Sequence, residues 1–588
     1  MPWKEIVLVK RLSHLLLALT ATSVLTAMTA VAREAPAQTP IIDYQERFLP
    51  IAARGGMVAS PERLAAEVGT RILQQGGNAV DAAVATGFAL AVTYPRAGNL
   101  GGGGFMLIHL ANENRQTLVD YRETAPAGAS RDMFLKEDGE VDLQREYFSH
   151  QAAGVPGTVA GLLHALEKYG SMSRKEVLAP AIELAADGMP VSFALNFEIA
   201  ARAEQLRKNP EARRLFFQAD GTPLAIGQTW RQEDLAWTLR QIASEGRDGF
   251  YSGEVARRIA TEMEAGNGLV TTGDLAAYKV VERQPVTGTF REFEIVSTPP
   301  PSSGGVHIVQ MLNILEGFDL AAMGHNSAAY LHHLAESMKL AYADRSQYLG
   351  DPDYVEVPVA QLIDKKYASR LRQRIDSKQA TPSAQIAPGR LLGIESTDTT
   401  HYTVADSKGN VVSNTYTLNF SFGSHIAVPG TGILLNNEMA DFASRPGKPN
   451  AFGLVQGEAN MIEPGKRPLS SMSPTLVLRD GQPWLATGSP GGSVIITTVI
   501  QTLLNAMEFD MNIATAAAAA RVHHQWMPDQ LRVEDGVSPD TLRLLEAMGH
   551  ELALGKRTLG RTQSIMLEEG WLLGATDRRR PGGWVAAF

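Results

Sequence analysis

The sequence predicts an α+β protein whose helices pack on a largely antiparallel sheet. Apolar residues recur at helical spacing in residues 60–95, 173–187 and 328–344. Short segments that alternate between apolar and polar residues, separated by Gly, Asn and Asp, gather in the last third of the chain. Helical patterns return after them, at residues 495–507 and 541–548. Helices on both sides of a group of strands are typical of a layered fold.

The first helical region contains start and stop signals. Ser60 is predicted as an N-cap, with Pro61 at the first helical position. Gly76 and Gly77 end this helix, after apolar residues that share one face, namely Leu64, Val68, Ile72 and Leu73. Residues 78–92 predict a second helix that is apolar nearly all round, which indicates a buried helix.

The strands are predicted at residues 401–405, 411–418, 474–478 and 484–486. Before the first of them, residues 376–396 are polar and rich in Pro, Gly and Ser, which predicts an exposed loop. Loops of this length are uncommon inside compact domains and usually indicate function or disorder. We therefore expect the loop before residue 399 to be either functional or disordered.

The composition excludes several classes of function. The chain has 588 residues, 44% of them hydrophobic and 20% charged, which leaves room for a large core. Its net charge is −9 and no basic stripe stands out, so nucleic acid is not expected as a partner. The absence of cysteine excludes disulfides, thiolate metal ligands and a cysteine nucleophile.

The N-terminus has the pattern of an export signal. Lys4, Lys10 and Arg11 precede an apolar run over residues 15–32. This run ends in Ala30-Val31-Ala32, and a second small-residue site lies at residues 35–37. An uncleaved membrane anchor is the alternative, because the run is just long enough to span a bilayer. We predict a signal peptide over residues 1–32 and a mature protein in the periplasm or secreted.

A β-hairpin is predicted directly after the polar loop. Asp406 and Gly409 match the first and fourth positions of a type I turn with a left-handed glycine. A three-residue loop of this kind pairs Asp406 with Asn410 and places Thr399 opposite Thr417. Opposed residues have Cβ atoms about 4.5–5.5 Å apart on one face, so the two hydroxyls lie side by side. A two-residue loop would separate them, and opposed threonines are common in sheets for packing reasons alone.

Residues 399–402, Thr-Thr-His-Tyr, strongly resemble the self-cleavage site of γ-glutamyltransferases, members of the N-terminal nucleophile hydrolases. The resemblance covers nearly the whole mature chain, and the bacterial periplasmic members are the most similar. The order of its other motifs makes a chance match unattractive: Gly55-Gly56-Met57-Val58-Ala59, Asn99-Leu100 with Gly101 to Gly104, Pro299-Pro300-Pro301-Ser302-Ser303-Gly304-Gly305, Asn436-Asn437-Glu438-Met439, Arg467 to Pro474, Gly488-Ser489-Pro490-Gly491-Gly492 and Ala575-Thr576-Asp577.

The resemblance implies a four-layer αββα sandwich and a precursor that cuts itself between Asp398 and Thr399. Residues 33–398 would form a large chain and residues 399–588 a small chain, assembled as a heterodimer in a single catalytic unit. Thr399 would be the nucleophile, and its freed α-amino group, with a reference pKa of about 7.7–8.0, suits a general base. The implied substrates are glutathione and other γ-glutamyl compounds, with amino acids, peptides or water as acceptors. No cofactor or metal is implied.

The family's site residues carry over position by position. Thr417 matches the threonine that orients the nucleophile, and Gly491 and Gly492 match the backbone donors of the oxyanion hole. The remaining matches concern the amino-acid end of the γ-glutamyl group. Its α-carboxylate would be held by Arg122, Ser470 and Ser471, and its α-ammonium group by Asp441, Asn419 and Glu438.

Two alternatives remain beside this function. A cephalosporin or glutaryl acylase of the same fold would lack the substrate ammonium group, and Asp441 would then have no cationic partner. A non-enzymatic exported protein could keep the fold, but the intact set of site residues opposes it. Among other motifs, the glycines at 101–104 lack the ending of a phosphate loop, and Asp351-Pro352-Asp353 favours a turn over a metal site. A base role for His401 stays open.

One position departs from the family pattern. Residues 446–457 match a lid loop that covers the site in bacterial relatives. A lid tyrosine that hydrogen-bonds the active-site asparagine in some members is replaced by Phe452. Phe cannot donate that bond, so we expect a lid that either closes less tightly or closes by packing alone.

Overall fold

The computed structural model describes residues 48–386, 399–447, 454–555 and 558–588. Its strands are, in chain order, Ile51–Ala53 (β1), Gly56–Ser60 (β2), Gly103–Leu110 (β3), Arg115–Asp120 (β4), Met189–Pro190 (β5), Thr229–Trp230 (β6), Val281–Arg283 (β7), Val286–Phe290 (β8), Phe293–Ser297 (β9), Thr400–Asp406 (β10), Val411–Thr417 (β11), Ala427–Val428 (β12), Ile433–Leu434 (β13), Thr475–Arg479 (β14), Gln482–Thr487 (β15), Val522–His523 (β16), Leu531–Glu534 (β17), Leu552–Gly555 (β18), Gln563–Glu568 (β19), Trp571–Thr576 (β20) and Trp584–Ala587 (β21).

The helices are Arg63–Gln74 (α1), Ala79–Thr93 (α2), Leu143–Phe148 (α3), Thr158–Tyr169 (α4), Arg174–Asp187 (α5), Phe193–Ala201 (α6), Ala203–Leu206 (α7), Pro210–Phe216 (α8), Glu233–Glu245 (α9), Arg247–Tyr251 (α10), Glu254–Ala265 (α11), Thr272–Ala277 (α12), Gly304–Leu315 (α13), Leu320–Met323 (α14), Ala328–Tyr348 (α15), Val359–Leu362 (α16), Lys365–Arg372 (α17), Val494–Met507 (α18), Ile513–Ala518 (α19) and Pro539–Ala547 (α20). Among these described helices, none combines the length and the apolarity needed to cross a membrane.

Two seven-stranded antiparallel sheets form the centre of the fold. One has the order β1-β20-β19-β15-β14-β9-β8 and the other β21-β2-β10-β11-β3-β4-β7. Both sheets contain strands from before and from after residue 399, so neither part of the chain could complete a sheet alone. β10 and β11 lie in the middle of the second sheet, between β2 and β3.

Helices cover the outer face of each sheet. α2 and α4 pack on β3, β10 and β11, whereas α13, α18 and α19 lie on the side of the other sheet. The two sheets contact each other through β10 and β19, β11 and β15, and β2 and β20. Each sheet therefore has one face against the other sheet and one against helices, which confirms the four-layer α+β sandwich.

The predicted second helix is the most deeply buried one in the first helical layer. Every residue of α2 is buried, as its apolar composition indicated. Asn78 caps it by accepting from the N–H groups of Val80 and Asp81, and the Asp81 carboxylate accepts from the Asn78 N–H. This helix packs against β10 and β11, and so it supports the hairpin within the sheet.

The predicted start of the first helix is wrong by two residues. Ser60 is the last residue of β2, and Glu62 is the N-cap, with its carboxylate accepting from the Ala65 N–H at 3.0 Å. The pairing of β2 with β10 and β21 extends the strand further than local capping signals suggest. The other predicted helices and strands are confirmed to within a few residues at each end.

Candidate active site

The hairpin that leads out of residue 399 has the predicted register. β10 and β11 pair Thr400 with Tyr416 and Ala405 with Val411, which leaves Thr399 opposite Thr417. At the turn, the Asp406 N–H donates to the Asn410 carbonyl at 3.1 Å, and Gly409 has φ +87°. The left-handed glycine closes the three-residue loop without steric cost.

The two threonine hydroxyls meet at the open end of this hairpin. Thr417 Oγ1 lies 3.4 Å from Thr399 Oγ1, which is longer than a strong hydroxyl hydrogen bond. Thr417 Oγ1 also accepts from the Asn419 N–H at 2.8 Å. Asn419 itself has φ +72°, and its side-chain amide donates to the Asn437 carbonyl at 2.9 Å. These contacts fix Thr417 and Asn419 beside Thr399.

The glycines at 101–104 place a neighbouring strand against the hairpin. The Asn99 side-chain amide donates to the Thr417 carbonyl at 2.9 Å, and its oxygen accepts from the Gly102 N–H. A Cβ atom on Gly102 would lie only 1.9 Å from the Thr417 carbonyl oxygen. Glycine is therefore required here by the close approach of two backbones, which accounts for the motif without any phosphate.

Arg122 lies in the wall that faces the hairpin and is fully buried. Its guanidinium group pairs with the carboxylates of Glu438 and of Asp441, the latter at 2.6 Å, and lies 3.5 Å from Glu123. Nε donates to the Pro468 carbonyl at 3.2 Å. Arg122 is thus a buried residue, and in this structure its charge is neutralised by acids that the sequence analysis assigned to a substrate ammonium group.

The acids of this wall are electrostatically strained. Burial raises the pKa of Glu123 to about 7, although Arg122 opposes the shift. Burial likewise raises the pKa of Glu438 well above its usual range. Burial lowers the pKa of Arg122, but Glu438, Asp441 and Glu123 outweigh it and the net pKa is raised. One guanidinium group does not neutralise three carboxyl groups, so the cluster favours protonated carboxyl groups, and a cationic ligand would favour their charged form.

Ser470 and Ser471 lie on a segment held by the Pro-rich motif at residues 299–305. The Ser470 N–H donates to the Pro301 carbonyl at 2.8 Å, and the Ser303 N–H and Oγ both donate to the Ser470 carbonyl at 2.9 Å. Arg345 of α15 donates from Nη2 to Ser471 Oγ at 3.2 Å and from Nε to Ser303 Oγ at 2.9 Å. One distant motif and one helix therefore fix this serine pair.

Gly491 and Gly492 lie just before α18. They have φ +140° and φ +55°, in a region that favours glycine. A Cβ atom on Gly491 would lie 2.5 Å from a Val494 methyl group. Helix N-termini present N–H groups and a positive dipole, so this bend can hold a developing negative charge.

Most of the predicted site residues line one cavity of about 20 Å³, a volume that is enough for about one water molecule. Gly491 does not line this cavity but is the sequence neighbour of Gly492, which does. Asp398 and Phe452 fall outside the described residues. Arg345 was missed, because no motif separates it from other helical arginines. The predicted residues in its lining are Arg122, Thr399, Thr417, Asn419, Glu438, Asp441, Ser470, Ser471 and Gly492.

His401 is occupied elsewhere. Its two ring nitrogens lie 2.8 Å from Thr415 Oγ1 and 3.0 Å from Thr403 Oγ1. Burial lowers the pKa of His401 to about 3, so the ring is neutral at physiological pH. These contacts join the histidine to β10 and β11 and give it a structural part within their sheet.

In the described part of the chain, one group has the donor set and spacing of a metal site, namely His332, Glu336 and His550. The two imidazoles already share a hydrogen bond of 2.8 Å between His332 Nδ1 and His550 Nε2. The Lys339 ammonium group lies 2.9 Å from Glu336. This lysine supplies the positive charge that a metal would bring, so the group is satisfied as it stands.

The family follows from a comparison that spans nearly the whole described chain. A family model described as gamma-glutamyltranspeptidase matches residues 65–587. The chain belongs to this family. The resemblance drawn from the sequence motifs is thereby confirmed.

Individual relatives agree with the family and with the fold. The glutathione hydrolase proenzyme of Escherichia coli (strain K12) is 52% identical over 553 residues, which are 93% of this chain and 95% of that protein. The crystal structure of a cephalosporin acylase from Bacillus halodurans is 28% identical with a TM-score of 0.80, over 93% of this chain and 98% of that chain. A Helicobacter pylori gamma-glutamyltranspeptidase structure is 43% identical with a TM-score of 0.55, over 59% of this chain and 97% of that chain.

Proposed function

We propose that this γ-glutamyltranspeptidase-family protein is a self-cleaving enzyme that hydrolyses glutathione and other γ-glutamyl amides, or transfers their γ-glutamyl group to amino acids or peptides. The observation that carries the proposal is the meeting of Thr399 and Thr417 at a cavity whose far wall holds Arg122, Asp441 and Glu438. A nucleophile thus faces groups that complement both charges of an amino acid.

Self-cleavage would prepare the nucleophile. The Thr399 hydroxyl attacks the carbonyl carbon of Asp398, and the amide nitrogen of Thr399 leaves as its α-amino group while an ester forms. Water then hydrolyses the ester, which gives a carboxylate at Asp398 and restores the Thr399 hydroxyl. A freed α-amino group has a reference pKa of about 7.7–8.0, so it can accept the hydroxyl proton near neutral pH.

γ-Glutamyl transfer would then use the same hydroxyl. Thr399 Oγ1 attacks the γ-carbonyl carbon, and the α-amino group takes its proton and passes it to the departing amine. The N–H groups at Gly491 and Gly492 would hold the negative charge of the tetrahedral intermediate. Water or an acceptor amine attacks the resulting acyl-threonine ester and releases glutamate or a new γ-glutamyl amide.

The pocket would bind its substrate by an exchange of partners. Without a ligand, Arg122 pairs with Asp441 and Glu438. The substrate α-ammonium group would pair with the acids, helped by Asn419, and the α-carboxylate would pair with Arg122 and the hydroxyls of Ser470 and Ser471. The substrate ammonium group then replaces Arg122 as the partner of the two acids, and the substrate carboxylate replaces the acids as the partner of Arg122, so no buried charge is left without a partner.

A glutaryl or cephalosporin acylase is the second candidate, because a solved acylase shares the fold. A glutaryl group carries the carboxylate but no ammonium group. It would displace Arg122 from Asp441 and Glu438 and leave two buried acids unpaired, which costs several kcal/mol. The acidic wall therefore favours the γ-glutamyl substrate.

The first experiment determines the intact mass and N-terminal sequence of the purified protein. The expected result is two chains in one complex, the smaller beginning with Thr399, and a large chain that starts after residue 32 when exported to a periplasm. Hydrolysis of γ-glutamyl-p-nitroanilide, with little of glutaryl-p-nitroanilide, would complete the assignment. A single uncut chain without γ-glutamyl hydrolysis would refute the proposal.

A further inference from the structure

Arg345 is the second arginine of the cavity, and its surroundings differ from those of Arg122. It lies on α15 and lines the cavity together with Thr399, while only 2% of it is exposed. Its Nε and Nη2 atoms donate to the hydroxyls of Ser303 and Ser471, and its buried Nη1 has no hydrogen-bond partner. Buried donors in native proteins are nearly always paired, so an unpaired donor on a residue that lines a cavity points to a ligand.

Arg345 also has no ion-pair partner among the described residues, although Asp441 lies near enough to favour its charged form. Arg122 is surrounded by Glu438, Asp441 and Glu123. Among the described residues, no carboxylate forms an ion pair with Arg345, and both of its hydrogen-bond acceptors are neutral hydroxyls. Burial lowers the pKa of Arg345 to about 10, which leaves it charged at neutral pH. A buried cation without an anion is unfavourable until an anion binds.

The hydrogen bonds of Arg345 also set the direction of a serine hydroxyl. A guanidinium group only donates, so Ser471 Oγ accepts from Arg345 and keeps its own hydrogen for another acceptor. Ser303 Oγ accepts from Arg345 in the same way and donates to the Ser470 carbonyl. Arg345 therefore holds the serine segment and leaves the Ser471 O–H group as a donor at the cavity.

We propose that Arg345 is a second cation of the γ-glutamyl site, which binds the substrate α-carboxylate through Nη1 together with the Ser471 hydroxyl. The proposal rests on the function proposed above. Arg122 must give up an acid before it can bind a carboxylate, whereas Arg345 gives up nothing. Arg345 would therefore determine selectivity for substrates that carry an α-carboxylate.

The test compares two substrates that differ in this group alone. γ-Glutamyl-p-nitroanilide carries the α-carboxylate, and 4-aminobutyryl-p-nitroanilide lacks it. With Arg345→Met, KM for the first is expected to rise on the order of 10- to 100-fold, as for loss of a charge-assisted hydrogen bond, while kcat/KM for the second changes less than about threefold. If hydrolysis of the second amide is too slow to follow, its inhibition constant against the first replaces kcat/KM.

Control variants separate binding from folding. Arg345→Lys keeps the charge and is expected to recover part of the selectivity, and Ser303→Ala removes one acceptor of Arg345 but leaves its charge and a KM within about fivefold of the original. Self-cleavage, read from the chain that begins at Thr399, reports that each variant has folded.

The possible outcomes separate this inference from the function on which it rests. An unchanged KM for the γ-glutamyl substrate in Arg345→Met, or an equal loss on both substrates, would overturn the role of Arg345 alone. If Arg345→Met does not fold, the same two substrates are compared in Arg345→Lys, and the loss on the γ-glutamyl substrate relative to the loss on the 4-aminobutyryl substrate decides. A wild-type protein without γ-glutamyl hydrolysis would instead remove the proposed function.

Discussion

The hairpin that carries Thr399 and the wall that faces it are held together by different forces. β10 and β11 pair with strands on both sides, and the polar contacts near Thr399 are between hydroxyl, amide and backbone groups. The wall instead concentrates buried charges on Arg122, Glu438 and Asp441. A neutral hydrogen bond contributes about 0.5–1.5 kcal/mol, whereas breaking a buried ion pair costs about 3–5 kcal/mol.

This difference separates chemistry from recognition. In the proposed function the hairpin supplies the nucleophile for both self-cleavage and turnover, so changes there should affect both reactions. The wall meets only the substrate, so changes there should leave self-cleavage intact and lower turnover. Variants in the two regions can therefore test whether the division holds.

Thr399→Ala should have the largest effect. Without the hydroxyl neither reaction has a nucleophile, so the chain should stay uncut and γ-glutamyl-p-nitroanilide hydrolysis should fall by about 10⁴-fold or more. Gel electrophoresis and steady-state rates measure the two effects. Thr400→Val is the matched control, because the buried Thr400 hydroxyl has no hydrogen-bond partner and the two side chains have the same shape. A Thr399→Ala protein that still cuts itself would exclude Thr399 as nucleophile.

Asp441→Asn should show the opposite pattern, with normal self-cleavage and weak turnover. Removing one carboxylate from the buried cluster should lower kcat/KM for γ-glutamyl-p-nitroanilide by about 10²- to 10³-fold, as for other broken buried pairs. Glutaryl-p-nitroanilide should lose far less. Asp353→Asn is the control, since Asp353 pairs with Arg283 at 2.7 Å but is half exposed, and such pairs contribute about 0–1 kcal/mol. Equal losses on both substrates would place Asp441 outside ammonium recognition.

Thr417→Val should have a smaller effect that again reaches both reactions. It removes the hydroxyl that lies 3.4 Å from Thr399 Oγ1 and that accepts from the Asn419 N–H at 2.8 Å. We expect self-cleavage and kcat to fall about tenfold each, as for loss of one or two neutral hydrogen bonds. Thr417→Ser, which keeps the hydroxyl, should stay near the original rates. A change in KM alone would contradict an orienting role.

Glu123→Gln should have the smallest effect, and it concerns pH. Burial raises the pKa of Glu123 to about 7 in the fold, above its unfolded value. At a pH between these two values, the folded chain holds a proton on Glu123 that the unfolded chain has lost. The contribution of Glu123 to stability is therefore fully present below the unfolded pKa, and it is lost as the pH rises through about 7. The Tm of the original protein should therefore fall more between pH 5 and pH 8 than that of Glu123→Gln, by roughly 1–3 °C.

The control for this comparison is Glu458→Gln, an exposed acid paired with Arg131. It should follow the original protein across the same pH range. If Glu123→Gln also follows the original protein, the carboxyl group at position 123 does not titrate in this window.

Local sequence was sufficient for the hairpin and most helices. Asp406 and Gly409 specify a turn by their own conformational preferences, and the turn fixes the register that places Thr399 opposite Thr417. The burial of α2 also followed from local sequence, because a helix that is apolar nearly all round is buried. Ser60 failed as a predicted cap, because strand pairing with distant β10 and β21 decided its conformation.

The sequence by itself determined the family motifs, the nucleophile segment and the types of residue that could bind an amino acid. The tertiary structure alone decided which charges meet. It placed Glu438 and Asp441 beside Arg122, and it brought Arg345 from α15 to Ser471 and to the cavity that Thr399 lines. Helical periodicity gives the face of a residue but not the surface that this face meets. The burial that raises the pKa of Glu123 and encloses Arg345 without an ion-pair partner arises only when the two sheets and their helices pack.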